Sequence, residues 1–160
     1  MNWIRKFIIS RLLKYVLIIS TILMLWKSLI LITNCRKPIN IVLSGGLGYS
    51  FLRYGDLLFL TNYQTDPIRA GDVVVFEIEG RSIPIVHRVI RVHERSDGYV
   101  KFLTKGDDHQ VDDRGLYRPG QLWIEREDII GKVKGYFPYL GLLIILIYNL
   151  FSSIFSFVVA

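Results

Sequence analysis

Ile85-Val86-His87-Arg88-Val89-Ile90-Arg91-Val92 is rich in β-branched residues and carries its polar groups singly. In an extended chain, successive side chains point to opposite faces. Val86, Arg88, Ile90 and Val92 then share one face, and His87, Val89, Arg91 and His93 share the other. Short runs of the same kind lie on either side, at residues 57–60, 73–78, 83–93 and 99–104. Turn formers separate them: Thr61-Asn62, Ala70-Gly71-Asp72, Glu79-Gly80, Ser96-Asp97-Gly98 and Lys105-Gly106-Asp107-Asp108. Strands at this spacing predict a mainly β, antiparallel domain rather than alternating strands and helices. There is no internal repeat and no low-complexity segment.

The two ends are different. Residues 16–33 read VLIISTILMLWKSLILIT, with Lys27 as the single charge. At about 1.5 Å per residue this run reaches roughly 27 Å, close to the thickness of a bilayer core. Lys27 at mid-span costs about 2.5–3.5 kcal/mol, which the surrounding Leu and Ile offset. The apolar stretch 7–13 can lengthen the span. A cleavable leader would end in small residues, and Asn34-Cys35-Arg36-Lys37-Pro38 offers none. The expected organisation is a basic cytosolic N-terminus over 1–15 and a transmembrane helix over 16–33. A lumenal β-domain over 38–148 follows, then an apolar membrane-associated tail over 149–160. Within 140–148, LGLLIILIY reads as a buried strand ahead of that tail; a second span is the alternative.

Charge supports this layout. Residues 1–37 hold seven Lys and Arg and no acid, and the first carboxylate is Asp56. The net charge of +6 therefore comes from the head, not from the folded body. Arg5, Lys6, Arg11 and Lys14 before the span outnumber Arg36 and Lys37 after it, which favours a cytosolic N-terminus. A nucleic-acid binder would carry its basic excess on the domain itself, so that class is set aside. Cys35 is the single cysteine, so no internal disulfide forms, and no metal-ligand spacing or cofactor motif is present.

By residue type, the chemistry rests on His87, His93, His109 and the carboxylates of Asp107-Asp108 and Asp112-Asp113. A His oriented by an Asp is the base half of an acyl-transfer site, and it needs a hydroxyl nucleophile. The same residues are also compatible with a structural strand histidine and a solvated acidic turn. A membrane-tethered metal or lipid binder is a third reading, although the acidic loop lacks calcium-loop spacing.

Several blocks resemble the catalytic subunit of the endoplasmic-reticulum signal peptidase. They are PINIVLSG (38–45), GDLLFLTN (55–62), GDVVVFEIEG (71–80), IPIVHRVIRVHE (83–94), KFLTKGDDHQVDDRGLY (101–117), GQLWIER (120–126) and IIGKVKGYFPYLG (129–141). The resemblance implies a membrane-anchored serine endopeptidase that removes signal peptides from secretory and membrane precursors on the lumenal face. Its implied partners are other subunits of the complex, the signal peptides of nascent preproteins, and the lipid bilayer. Neither a cofactor nor a metal is implied. His87 matches the family's general base, Asp113 the acid that orients it, and Asp107 a supporting carboxylate. His93 and His109 match no catalytic position.

One loop departs from the pattern. The family's nucleophile motif is S-G-S-M-E-P, whereas this chain reads Ser44-Gly45-Gly46-Leu47-Gly48-Tyr49, with one residue inserted before Gly55-Asp56. Gly46 stands where the serine belongs, so His87 and Asp113 have no hydroxyl to activate there. In a comparable triad, loss of the nucleophile alone costs about 10⁶ in turnover. Ser44 and Ser50 are the nearest substitutes. In an extended segment Ser44 lies about 6.5–7 Å from position 46, while a base works at about 3 Å. Two expectations follow. One is an active serine endopeptidase, through Ser44 or Ser50 or through a sequence error over 46–54. The other is a non-catalytic relative that keeps the fold and serves as a structural or signal-peptide-binding subunit.

Overall fold

The computed structural model describes residues 2–43, 52–81, 83–96 and 98–159. It opens on helix α1 (Asn2–Thr33), a continuous helix that takes in the basic residues of the head as well as the apolar run. The sequence explains this, because no Gly or Pro interrupts residues 2–33. Arg5–Thr33 is long and apolar enough to cross a membrane and is almost entirely exposed. The helix stops at Asn34, whose positive φ of 49° is the left-handed conformation that asparagine tolerates at a helix end. The Asn62 N–H donates to Thr33 O (3.0 Å), and the Tyr63 hydroxyl donates to Ile32 O. These bonds tie the end of the helix to the β-domain.

The strands are β1 (Ile39–Ile41), β2 (Leu57–Thr61), β3 (Val73–Phe76), β4 (Ile85–Glu94), β5 (Val100–Lys105), β6 (Ile124–Glu125) and β7 (Ile129–Phe137). They form one antiparallel sheet in the order β1-β2-β7-β3-β4-β5-β6. The four expected runs are β2, β3, β4 and β5, shifted by one or two residues at their ends. β7 lies between β2 and β3 and was hidden in the sequence by its two lysines and two glycines. Lys132 pairs with Asp72 (2.7 Å) and Asp66 (3.3 Å), which lets a charged residue occupy a central strand. At Gly131 a Cβ would meet Thr61 O at 3.0 Å and Cys35 Sγ at 3.1 Å, so glycine permits the close approach.

The sheet separates two apolar clusters. Val74, Phe76, Val89, Phe102, Leu103, Ile124 and Tyr117 fill one, and Cys35, Val42, Leu52, Leu58, Leu60, Val73 and Val75 fill the other. β4 does not keep strict alternation. Val89 pairs with Thr104 and Arg91 with Leu103, leaving Ile90 as an extra residue in a bulge. Beyond the bulge the faces exchange. Val92, expected beside Val86, packs instead with the cluster that holds Val89.

Residues 140–148 are helical, which corrects the strand expected there. They begin helix α2 (Leu140–Val159). The run is Leu-rich and lacks strand-type alternation. A helix satisfies its own backbone while its apolar side chains stay outward. The helix starts hard against the β-domain. The Tyr139 N–H donates to Asp56 Oδ1 (3.1 Å), and the Leu142 N–H donates to Gly55 O (3.1 Å). A Cβ on Gly141 would meet both Gly55 O and Ile41 Cγ2 at 2.6 Å, so this contact needs glycine.

Candidate active site

β3 and β4 pair Val74 with His87, and the His87 ring turns inward beside Phe76, with ring centroids 6.4 Å apart. Its Nδ1 lies 2.6 Å from Asp113 Oδ2. Both side chains are almost fully buried, at 5% and 2% exposure, so little water competes for this bond. Asp113 opens a short 3₁₀ turn, Asp113–Gly115, where the Asp112 carboxylate accepts from the Arg114 N–H (3.2 Å). That turn fixes the direction in which Asp113 enters the core.

Two residues that sequence reasoning did not single out complete the network. The Thr104 hydroxyl donates to Asp113 Oδ2 (2.6 Å), and the Thr104 N–H donates to the Tyr117 hydroxyl oxygen (2.9 Å). Thr104 has one hydroxyl proton and gives it to the carboxylate. The 2.9 Å contact between Thr104 Oγ1 and the Tyr117 hydroxyl therefore has Tyr117 as the donor. Tyr117–Thr104–Asp113–His87 is thus a directed chain of hydrogen bonds ending on the imidazole. Burial pushes the Tyr117 phenol up from its ordinary value, which keeps it a donor. A Thr between Leu103 and Lys105 in β5 and a Tyr four residues after Asp113 carried no separate signal in the sequence.

Asp107 holds Arg88, the residue after His87, by two bonds: Arg88 Nε to Oδ1 at 2.9 Å and Nη2 to Oδ2 at 2.8 Å. Arg88 Nη1 also donates to Gly71 O (2.8 Å). The Asp107 carboxylate raises the guanidinium's pKa above its ordinary value. This fork anchors β4 next to the histidine. His93 lies farther along β4, against Trp123 at 5.9 Å between ring centroids. His109 is brought close: its ring stands edge-on to His87 with centroids 5.2 Å apart. Ser44, Gly46 and Ser50 lie outside the described residues.

Downstream of that loop, buried Asp56 accepts from the Arg53 N–H (2.8 Å) as well as from Tyr139. An apolar groove of about 370 Å³ runs between β1 and the segment before β4. Ile39, Ile41, Leu43, Ile83, Pro84 and Val86 are among its walls, and Trp26 of α1 and Ile144 of α2 close it.

Arranged in this way, the buried residues can accept a proton at the imidazole and hold the resulting charge against a carboxylate. Known proteins with related sequences carry names consistent with such chemistry. Signal peptidase complex catalytic subunit SEC11C of Homo sapiens is 56% identical over 134 residues, which is 84% of this chain and 69% of that protein. The protein of the same name from Canis lupus familiaris matches equally. Signal peptidase complex catalytic subunit sec11 of Dictyostelium discoideum is 46% identical over 142 residues, 89% of this chain and 78% of the other. No family model matches. Identity of this order across most of both chains establishes kinship, and the chain belongs to the family of signal peptidase complex catalytic subunits.

Proposed function

We propose that this chain is a subunit of a signal peptidase complex that keeps the base and acid of the peptidase site but lacks its nucleophile. His87 is the general base and Asp113 orients it. Thr104 and Tyr117 hold Asp113, and Asp107 steadies β4 through Arg88. The observation that carries this reading is the buried 2.6 Å bond between His87 and Asp113, set in a chain that has Gly46 at the family's serine position. A base without a hydroxyl performs no acyl transfer. The chain as written therefore acts as a structural or signal-peptide-binding subunit. The groove beside β1 suits an extended apolar peptide, which pairs with the sheet edge while its side chains enter the groove.

In this reading α1 crosses the endoplasmic-reticulum membrane with its basic N-terminus in the cytosol. The β-domain is lumenal, and the uncharged α2 associates with the bilayer. Twenty residues at about 1.5 Å each give α2 roughly 30 Å of length, enough to remain in contact with lipid along its course.

A second reading, peptide hydrolysis through Ser44 or Ser50, draws on the retained base–acid pair. A serine-reactive phosphonate applied to the assembled complex separates the two. The first reading expects no labelled peptide from this chain. Label mapped to Ser44 or Ser50 would establish the second.

A further inference from the structure

We propose that His87, His109 and Asp113 together bind one divalent transition-metal ion of the zinc class. Each offers a donor atom, and the three atoms lie within 4.8 Å of one another. Zinc–ligand bonds of about 2.0–2.2 Å place tetrahedral neighbours roughly 3.2–3.5 Å apart. Closing the set thus takes a movement of about 1.5 Å or less. His87 and Asp113 are buried and held by their surroundings, whereas the His109 side chain is exposed and free to turn inward. Its backbone is fixed at the right place: the His109 N–H donates to Gly106 O (3.0 Å), and Lys105 Nζ donates to His109 O (2.8 Å). The site therefore has two buried ligands already side by side, which part slightly to admit the ion, and one exposed ligand that adjusts to it.

The donor types select the metal. Two imidazoles and one carboxylate suit zinc, cobalt or copper, while calcium and magnesium require oxygen ligands. Three protein ligands leave a fourth position open for water or an incoming group. Outside the ligands, the Thr104 hydroxyl on Asp113 Oδ2 and Tyr117 behind it orient the carboxylate. The ligands come from a strand and from a loop 22 residues later in the chain, which explains why no ligand spacing stood out in the sequence.

Metal binding changes what His87 can do. A metal held by both His87 Nδ1 and Asp113 takes the place of the proton between them, and their 2.6 Å separation opens by about half an ångström or more. In a neutral ring that proton moves to Nε2, so the proton count is unchanged. Nε2 then donates and can no longer accept a proton from a hydroxyl. Metal occupancy and general-base action at His87 are mutually exclusive.

The test uses the full, untagged chain in detergent micelles, stripped with EDTA and titrated with Co²⁺ under visible absorption. One saturable Co²⁺ per chain is expected, displaced by Zn²⁺. His109→Asn should weaken binding at least tenfold, and His93→Asn should leave it unchanged; thermal melting checks that both variants are folded. Absence of saturable binding, or binding that His109→Asn does not alter, would overturn the proposal. So would equal weakening by His93→Asn.

Discussion

At the residue scale, Asp113 Oδ2 accepts from both His87 and Thr104, and the two bonds have different consequences. The bond to His87 sets the tautomer and orientation of the imidazole. The bond to Thr104 only holds the carboxylate. In a chain whose loop is rebuilt to carry a serine, Asp113→Asn should lower turnover by about 10⁴, as the equivalent change does in a serine-protease triad. Initial rates of preprotein cleavage measure this. Tyr117→Phe is expected to act on stability. It leaves the buried Thr104 N–H without its acceptor, which costs about 1–3 kcal/mol, readable from denaturant unfolding. Tyr117 also predicts a pH dependence. Its pKa is raised by burial, so its contribution is complete below the ordinary tyrosine value near 10. The contribution is lost as the pH climbs toward the raised, folded-state value. Tyr99, pushed up to about 12 chiefly by its hydrogen bond to Glu125, acts in the same direction. Tyr117→Phe should therefore flatten part, not all, of the alkaline fall in stability. The motif singled out His87, Asp113 and Asp107 in the sequence, and the structure brings the first two together and sets the third on Arg88. Thr104 and Tyr117 were not legible there, because a buried polar partner is defined by what packs around it and not by spacing along the chain.

At the scale of elements, β2 to β5 were legible because their apolar runs are short and bounded by turn residues. β7 was not, because Lys132, Lys134, Gly131 and Gly135 break the apolar pattern that identifies a strand. Tertiary contacts explain three of the four: Lys132 meets Asp66 and Asp72, Lys134 meets Asp66, and Gly131 faces the Thr61 backbone and Cys35, while nothing in the structure explains Gly135. Gly131→Val should destabilise the domain by about 1–3 kcal/mol, since Thr61 O, Cys35 Sγ and Leu60 Cβ already lie 3.0–3.1 Å from where its Cβ would sit. Chemical denaturation measures it. The run 140–148 misled for the opposite reason, as a short apolar stretch does not distinguish strand from helix. What commits it to α2 is its seat on Gly55 and Asp56. Asp56→Ala should free both the Tyr139 and Arg53 amides, and hydrogen exchange at the two should speed up at least tenfold. That coupling matters because Arg53 and Asp56 follow residues 44–51 in the chain, so the start of α2 anchors the segment next in sequence to Gly46.

At the scale of the molecule, one exposed apolar helix precedes a sheet and a second apolar helix follows it, and His87 of β4 is buried against Asp113 of the 3₁₀ turn. The membrane orientation is open to direct measurement. Glycosylation acceptor sites placed in the turn between β4 and β5 should be modified in microsomes, and acceptor sites ahead of α1 should not. In the proposed reading, the departure that matters for catalysis is the Gly46 stretch, where the family's nucleophile motif is altered. Replacing Gly46→Ser, Leu47→Met, Gly48→Glu and Tyr49→Pro, with the inserted residue removed, restores the family's S-G-S-M-E-P motif, which His87 and Asp113 would serve in the proposed reading. The decisive measurement is preprotein cleavage by the assembled complex, with this chain as the sole peptidase-type subunit, before and after that replacement. No cleavage is expected from the chain with Gly46, and cleavage at a rate at least ~10³ higher is expected once the motif is rebuilt. Cleavage by the unaltered chain, with Gly46 verified in the protein used, would contradict the proposed reading.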